Sequence, residues 1–201
     1  MAANKGMCGA FNAELLSFFD GILEKEKKTP VIFTCGKKVR EHFQSNGIPY
    51  KKAYIFNDVP SYSEVSELFK EIRSLMKEGS VSSVRMVYPE YINMIKQEPV
   101  LCDLFTIDEG KDEGDNFIFV PDKDTVINNT AEKTFTSIMY KKILETALGA
   151  QAATLTTMRS AYDTACEYST QLETQINRIR QSQVTADVIE ISAEYSMKGE
   201  K

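Results

Sequence analysis

Apolar residues recur along this chain in two different ways, and the change falls near Pro121. Before that residue, segments with helical spacing alternate with short apolar, β-branched segments, and turn residues such as Gly36 separate them. Helical spacing predicts packed helices, and short apolar runs bounded by turns predict buried strands. The predicted helices are 11–28, 37–45 and 62–78, and the predicted strands are 31–35, 50–56, 81–88, 101–107 and 117–120. This alternation indicates an α/β fold with helices packed on a Rossmann-like open sheet.

The third predicted helix has the clearest ends. Ser61 and Glu64 have the spacing of a capping box, in which each side chain bonds the other residue's backbone N–H. Gly79 follows the last apolar turn, where a glycine commonly ends a helix.

After Pro121 the sequence contains no further proline, and Gly149 is its only glycine before Gly199. We therefore predict one helix over about residues 129–191, which would be roughly 90 Å long. Its apolar residues alternate every three and four positions, which is the seam of a coiled coil. We predict an α/β domain over 1–125 and a coiled-coil-type helix over 126–201, which needs a partner helix unless it packs along its own domain. The predicted seam consists of Leu155, Met158, Tyr162, Ala165, Leu172, Ile176, Ile179 and Ala186, with Ser169 and Gln183 as polar members.

Composition narrows the range of functions. The net charge of -5 argues against nucleic acid as a principal partner, because phosphate binding requires a basic surface. The apolar runs are too short for a membrane span, and the first residues lack the apolar core of a secretory signal. The four cysteines show no CxxC spacing and His42 is the only histidine, so zinc-site templates do not fit. We expect reduced thiols, a cytoplasmic protein, no metal and no cofactor.

Two glycine-containing turns are the candidates for a ligand site. Residues 6–9, Gly-Met-Cys-Gly, precede a helix, and a helix N-terminus can hold phosphate. The turn has neither the lysine nor the spacing of a P-loop, and it is not a dinucleotide fingerprint. Residues 35–38, Cys-Gly-Lys-Lys, follow a predicted strand, where open α/β sheets bind ligands. We interpret both as structural turns, and a nucleotide-binding α/β enzyme stays open as the alternative.

The remaining candidates do not form a catalytic group. His42 has no acid or nucleophile near it in the sequence, and the acidic loop over 108–115 lacks the spacing of a calcium loop. The glycosylation sequon at 128–130 would matter only in a secreted protein. We therefore predict no catalytic residue.

Stretches near both ends of the chain resemble the gamma subunits of F-type ATP synthases. Residues 4–12 are similar to the family's glycine-cysteine-glycine turn, and residues 151–161 resemble its carboxyl-terminal helix. Residues 177–191 resemble the signature near the end of that helix, with Arg180-Gln181, Val184-Thr185 and Glu190-Ile191 in register. The resemblance covers nearly the whole chain.

This resemblance implies a noncatalytic rotor subunit. An α/β foot would meet the epsilon subunit and the membrane c-ring, and two long helices would form an antiparallel coiled coil inside the α3β3 head. Rotation of this shaft would couple the proton gradient to ATP synthesis, at the cytoplasmic face of the bacterial inner membrane. The positions that match the family's contacts to the catalytic β subunits are Arg180, Gln181 and Thr185, with Glu190 nearby.

The chain departs from the family pattern at three places. The family's long amino-terminal helix and first strand precede the turn at which this sequence begins. Glu194-Tyr195 replaces a usual Gly-Ala, and Thr154 stands where arginine is common. An unpaired seam and an incomplete sheet edge predict self-association. A coiled-coil interaction module with an unrelated partner stays open as a third class of function.

Overall fold

The computed structural model describes residues 1–26, 29–104, 120 and 122–198, with side chains to residue 194. Its elements in chain order are α1 Phe11–Leu23, β1 Phe33–Cys35, α2 Lys37–Ser45, β2 Lys52–Tyr54, α3 Tyr62–Lys77, β3 Arg85–Tyr91, β4 Gln97–Asp103 and α4 Lys123–Lys198. The predicted mixed α/β fold with a long carboxyl-terminal helix is confirmed. Predicted strand residues 105–107 and 117–119, and helix residues 27–28, lie outside the described residues.

The described strands form two hydrogen-bonded pairs. β1 and β2 run parallel, and β3 and β4 run antiparallel. The first two residues connect the pairs, because the Met1 amino group donates to Val87 O of β3 at 2.6 Å. The next amide, Ala2 N–H, donates to Cys35 O of β1 at 3.0 Å. The amino end of the chain therefore lies between the two strand pairs.

The β3–β4 hairpin extends closer to its turn than the sequence predicts. Two prolines lie inside it. Pro89 is directly opposite Pro99. On either side, Leu104 N–H donates to Val84 O and Ile92 N–H donates to Lys96 O. Hydrogen-bonded and non-hydrogen-bonded pairs alternate along an antiparallel ladder, so the two prolines occupy a non-hydrogen-bonded pair. Their missing N–H groups remove no bond from this ladder, which is why both strands continue through them.

The main hydrophobic core lies between α3, the first strand pair and the first part of α4. Val65 and Ile143 are fully buried in it. The predicted capping box is present at the start of α3, where Glu64 N–H donates to Ser61 Oγ and the Ser61 N–H donates to Glu64. The core consists of Cys35, Phe56, Val65, Leu68, Phe69, Ile72, Met139 and Ile143.

The chain divides into two compact units, residues 1–157 and 158–201, and the boundary falls within α4. The first unit contains all the strands of the described residues and the buried positions of α4. In the second unit every residue from 158 to 194 is exposed. None of the helices in the described residues is long and apolar enough to cross a membrane. The functional division predicted at residue 125 stays a prediction.

Candidate functional site

The predicted seam is a stripe of exposed side chains on α4. The exposed fractions of its large side chains range from 41% at Met158 to 69% at Tyr162. A helix that is apolar at these positions and solvated all round lacks the packing that normally stabilises it. The exposed large members are Leu155, Met158, Tyr162, Leu172, Ile176 and Ile179.

The four residues predicted to contact catalytic subunits all lie on α4, and all are exposed. Thr185 Oγ1 donates to Gln181 O at 2.8 Å, a bond within the helix that leaves the hydroxyl oxygen able to accept another. Within residues 1–26, 29–104, 120 and 122–194, neither Arg180 nor Glu190 forms an ion pair. Their charges are therefore available to a partner, and their role stays a prediction.

The first part of α4 is held to the compact unit by polar contacts that the sequence does not indicate. Lys142 Nζ donates to the Tyr88 hydroxyl at 2.5 Å and to Glu145 at 3.1 Å. Arg73 of α3 forms an ion pair with Glu132 of α4. Burial raises the pKa of Tyr88. Burial lowers the pKa of Lys142, but its hydrogen bonds to Tyr88 and Glu145 outweigh this and raise it.

The glycine-cysteine-glycine turn packs directly on α4. Gly9 has a φ of 57°, and a Cβ at this position would lie 3.1 Å from Thr157 Oγ1. Cys8 is buried with Phe11 and Ala153. A second close approach occurs at Gly149, where an added Cβ would lie 3.2 Å from the Phe11 ring. Glycine at these two positions thus allows α1 and α4 to pack closely. A side chain at Gly9 or Gly149 would push against its neighbour on the other segment.

The second glycine turn lies at the carboxyl end of β1, beside a cavity of about 650 Å³. Gly36 has a φ of 107°, and an added Cβ would meet Ala2 O at 2.2 Å, so glycine is required there. Asn4 Oδ1 already accepts the Lys37 N–H at the start of α2. Burial raises the pKa of the Cys35 thiol to about 11, which keeps it protonated at neutral pH and a poor nucleophile.

The other candidate residues are scattered. His42 Nε2 lies 3.0 Å from Asp20 Oδ2 and joins α2 to α1. The acidic loop over 108–115 lies outside the described residues. Asn128 of the sequon is on α4, where its side chain donates to Asp124 O. The part of the chain that the structure describes contains no cluster of His, Cys, Asp or Glu suited to a metal ion.

Comparison with known proteins identifies the family. A family model described as ATP synthase matches residues 1–195. The ATP synthase gamma chain of Rubrobacter xylanophilus is 29% identical over 202 residues, which cover 96% of this chain and 70% of that one. The gamma chain of Clostridium botulinum is 26% identical and covers 95% and 68%. The chain belongs to the ATP synthase gamma-chain family, as its sequence predicts.

Solved structures with the same fold come from rotary assemblies. A chain of the Euglena gracilis mitochondrial ATP synthase, from the OSCP/F1/c-ring structure in rotational state 3, has a TM-score of 0.69. It is 16% identical, and the match covers 97% of this chain and 70% of that chain. A chain of the Tetrahymena thermophila mitochondrial ATP synthase central stalk and c-ring has a TM-score of 0.65 at 15% identity, covering 81% and 74%. At these identities the likeness concerns the fold.

Proposed function

We propose that this chain is a noncatalytic rotor subunit, the gamma subunit of an F-type ATP synthase. Its rotation couples the proton gradient to ATP synthesis from ADP and phosphate in an α3β3 head. The observation that carries this function is the exposure of every residue from 158 to 194 on a helix with a coiled-coil seam. A helix of this kind is suited to lie inside a surrounding assembly, and membership of the gamma-chain family names that assembly.

The two predicted parts of the chain have different tasks in this proposal. Residues 1–125 form the foot of the central stalk and contact the epsilon subunit and the membrane c-ring. Residues 126–201 form one half of the rotor coiled coil. The complex is held peripherally at the cytoplasmic face of the bacterial inner membrane. The foot needs a folded core that resists torque, and its buried residues around Val65 supply most of one, which Met139 and Ile143 of the helix complete.

Contacts to the catalytic β subunits are proposed for the polar residues beside the end of the seam. The guanidinium of Arg180 can form paired hydrogen bonds with a carboxylate, and Gln181 can both donate and accept. Thr185 lies one helical turn beyond Gln181, and Glu190 adds a negative charge further along. All four are exposed and can reach a neighbouring subunit without rearrangement of the helix.

In isolation, the proposed occupant of the seam is a second copy of the chain. Burying one large apolar side chain contributes about 1.5–3 kcal/mol, so a row of them favours pairing. The alternation of three and four residues suits helix-to-helix packing. In the assembled complex, the partner helix of the rotor takes this place.

The decisive experiment is purification of the ATP synthase from native membranes with an affinity tag on this chain. We expect α and β subunits in excess over the tagged chain, as an α3β3 head requires. A tagged variant with Leu172→Glu and Ile176→Glu should lose them. A matched variant with Glu173→Gln and Arg178→Gln, which changes exposed residues outside the seam, should retain them. Recovery of the unaltered chain without α and β would refute the rotor function and favour the free-enzyme alternative.

A further inference from the structure

The buried contact between α4 and the rest of its compact unit is mainly apolar. Its buried positions include Thr136, Met139, Ile143 and Thr146, at spacings of three and four residues. Both threonine hydroxyls donate to carbonyls of α4 itself, so they donate no hydrogen bond to the sheet. Hydrophobic contact has no preferred direction. Rotation of α4 would expose Met139 and Ile143 and is opposed by their burial, and a directional polar contact would define one angular position more sharply.

Lys142 adds a directional contact in the middle of this mainly apolar surface. Its ammonium group donates to the Tyr88 hydroxyl and lies 4.5 Å from the centroid of the same ring. The Tyr88 residue is only 2 % exposed, and the Lys142 side chain is 17 % exposed. A rotation or a slip of α4 would leave a largely desolvated ammonium group and a buried hydroxyl without their partners. Unpaired buried polar groups are strongly unfavourable, especially charged ones.

A second directional contact lies ten residues earlier on the same helix, which is about 15 Å along its axis. There Glu132 forms its ion pair with Arg73 of α3. Both side chains are 31% exposed, so water screens this pair more than it screens Lys142. Thr156 of α4 adds an exposed contact, because its Oγ1 donates to Met94 O at 3.2 Å. These contacts bind α4 to different parts of its compact unit, and the most buried one, at Lys142, should dominate.

Building on the proposed rotor function, we propose that Lys142 is a positioning residue that fixes the angular position of α4 on β3. With Lys142 in place, torque passes between the foot and the shaft without slippage of the helix on its core. The residue touches neither nucleotide nor a catalytic subunit in this proposal, and it acts through the orientation of α4.

The test uses the whole ATP synthase, in membrane vesicles from cells carrying Lys142→Met in this chain. The readout is the number of protons pumped per ATP hydrolysed, with and without an opposing gradient. A lost charge-assisted hydrogen bond should raise the occupancy of slipped positions on the order of tenfold. We therefore expect ATP hydrolysis to continue while the number of protons pumped per ATP against a gradient falls below that of the unaltered complex. Lys142→Arg, which retains the charge, should restore much of the coupling.

Two further variants separate this role from general destabilisation. Lys141→Met changes the exposed neighbouring lysine and should couple normally. Tyr88→Phe removes the acceptor but keeps the ring, and should reproduce the loss of coupling in a complex that assembles normally. Normal coupling by assembled Lys142→Met or Tyr88→Phe complexes would overturn the proposal, and so would failure of both to assemble, which would show a role in folding. Absence of the unaltered chain from the complex would instead refute the rotor function itself.

Discussion

The two parts of α4 differ in whether their apolar side chains are buried. Up to Thr157, the helix buries a stripe of side chains against its own compact unit, and Ile143 is fully buried. Beyond that residue, apolar side chains recur at similar spacings but all of them are exposed. The same periodicity therefore accompanies burial in one part and exposure in the other. Periodicity in sequence reports that a helix face will be covered, but not what will cover it.

Matched substitutions of isoleucine in the two parts of α4 should differ most in their effect on the free energy of unfolding. Ile143→Ala should lower the free energy of unfolding by about 2–5 kcal/mol, because it opens a cavity in the core. Ile176→Ala, at a residue that is 56% exposed, should change the unfolding of the compact unit by less than about 0.5 kcal/mol. Urea unfolding followed by near-ultraviolet circular dichroism measures both. Equal losses would show that the second unit is packed on the first.

Charge placed on the seam should abolish self-association while the fold of the compact unit persists. We expect Leu172→Glu with Ile176→Glu to weaken the pairing of two isolated chains by at least about a hundredfold, since two apolar contacts per helix are lost. Light scattering over a range of protein concentrations gives the mass. A monomeric unaltered chain at high concentration, with amides of residues 158–194 protected from hydrogen exchange, would contradict proposed pairing between copies.

Alkaline pH should weaken the contact between Lys142 and Tyr88. The pKa values of Lys142 and Tyr88 are both raised, the first by hydrogen bonds that outweigh burial and the second mainly by burial. A raised pKa means that the folded state binds the proton more tightly, so this contribution is complete below the ordinary values of 10.5 and 10.0. It is lost as the pH rises through the higher folded values.

Melting temperatures measured from neutral to strongly alkaline pH test this dependence. The unaltered chain should lose more stability at the alkaline end than Lys142→Met combined with Tyr88→Phe, which has neither titrating group. The exposed Lys141→Met is the control, and it should behave like the unaltered chain. Identical alkaline slopes for all three proteins would mean that the bond to Tyr88 contributes little.

The smallest effect on stability is expected at the proposed subunit contacts. Arg180→Ala with Gln181→Ala should change the melting temperature of the compact unit hardly at all, because exposed substitutions usually stay within about 0.5 kcal/mol. In the whole complex, the same pair should lower ATP hydrolysis or the yield of assembly. Calorimetry of the isolated chain and activity of the purified complex give the two quantities. Loss of stability together with normal activity would assign these residues to folding.

Local patterns predicted the positions of the helices, although α1 ends at Leu23 and not at the predicted residue 28. Contacts between residues far apart in the sequence could not be predicted in this way. The capping box at Ser61 and the three-and-four spacing of the seam are written in neighbouring residues, so both could be read directly. The ends of β3 and β4 nearest their turn were missed, because the predicted strands end at residue 88 and begin at residue 101, whereas β3 reaches Tyr91 and β4 begins at Gln97. Whether a strand continues through proline depends on the register of the opposite strand. The contact between Lys142 and Tyr88 joins residues 54 positions apart. No spacing rule connects them, because the contact depends on how α4 lies on the sheet.

The pair of prolines in the hairpin has a consequence for solubility. Residues of non-hydrogen-bonded pairs direct their backbone groups away from the partner strand, so Pro99 faces the open side of β4. In the described residues, β4 pairs with β3 alone, and its outer edge would otherwise offer a continuous row of donors to a strand of another molecule. Pro99 interrupts that row near its middle. Addition of further strands at this edge is thereby hindered.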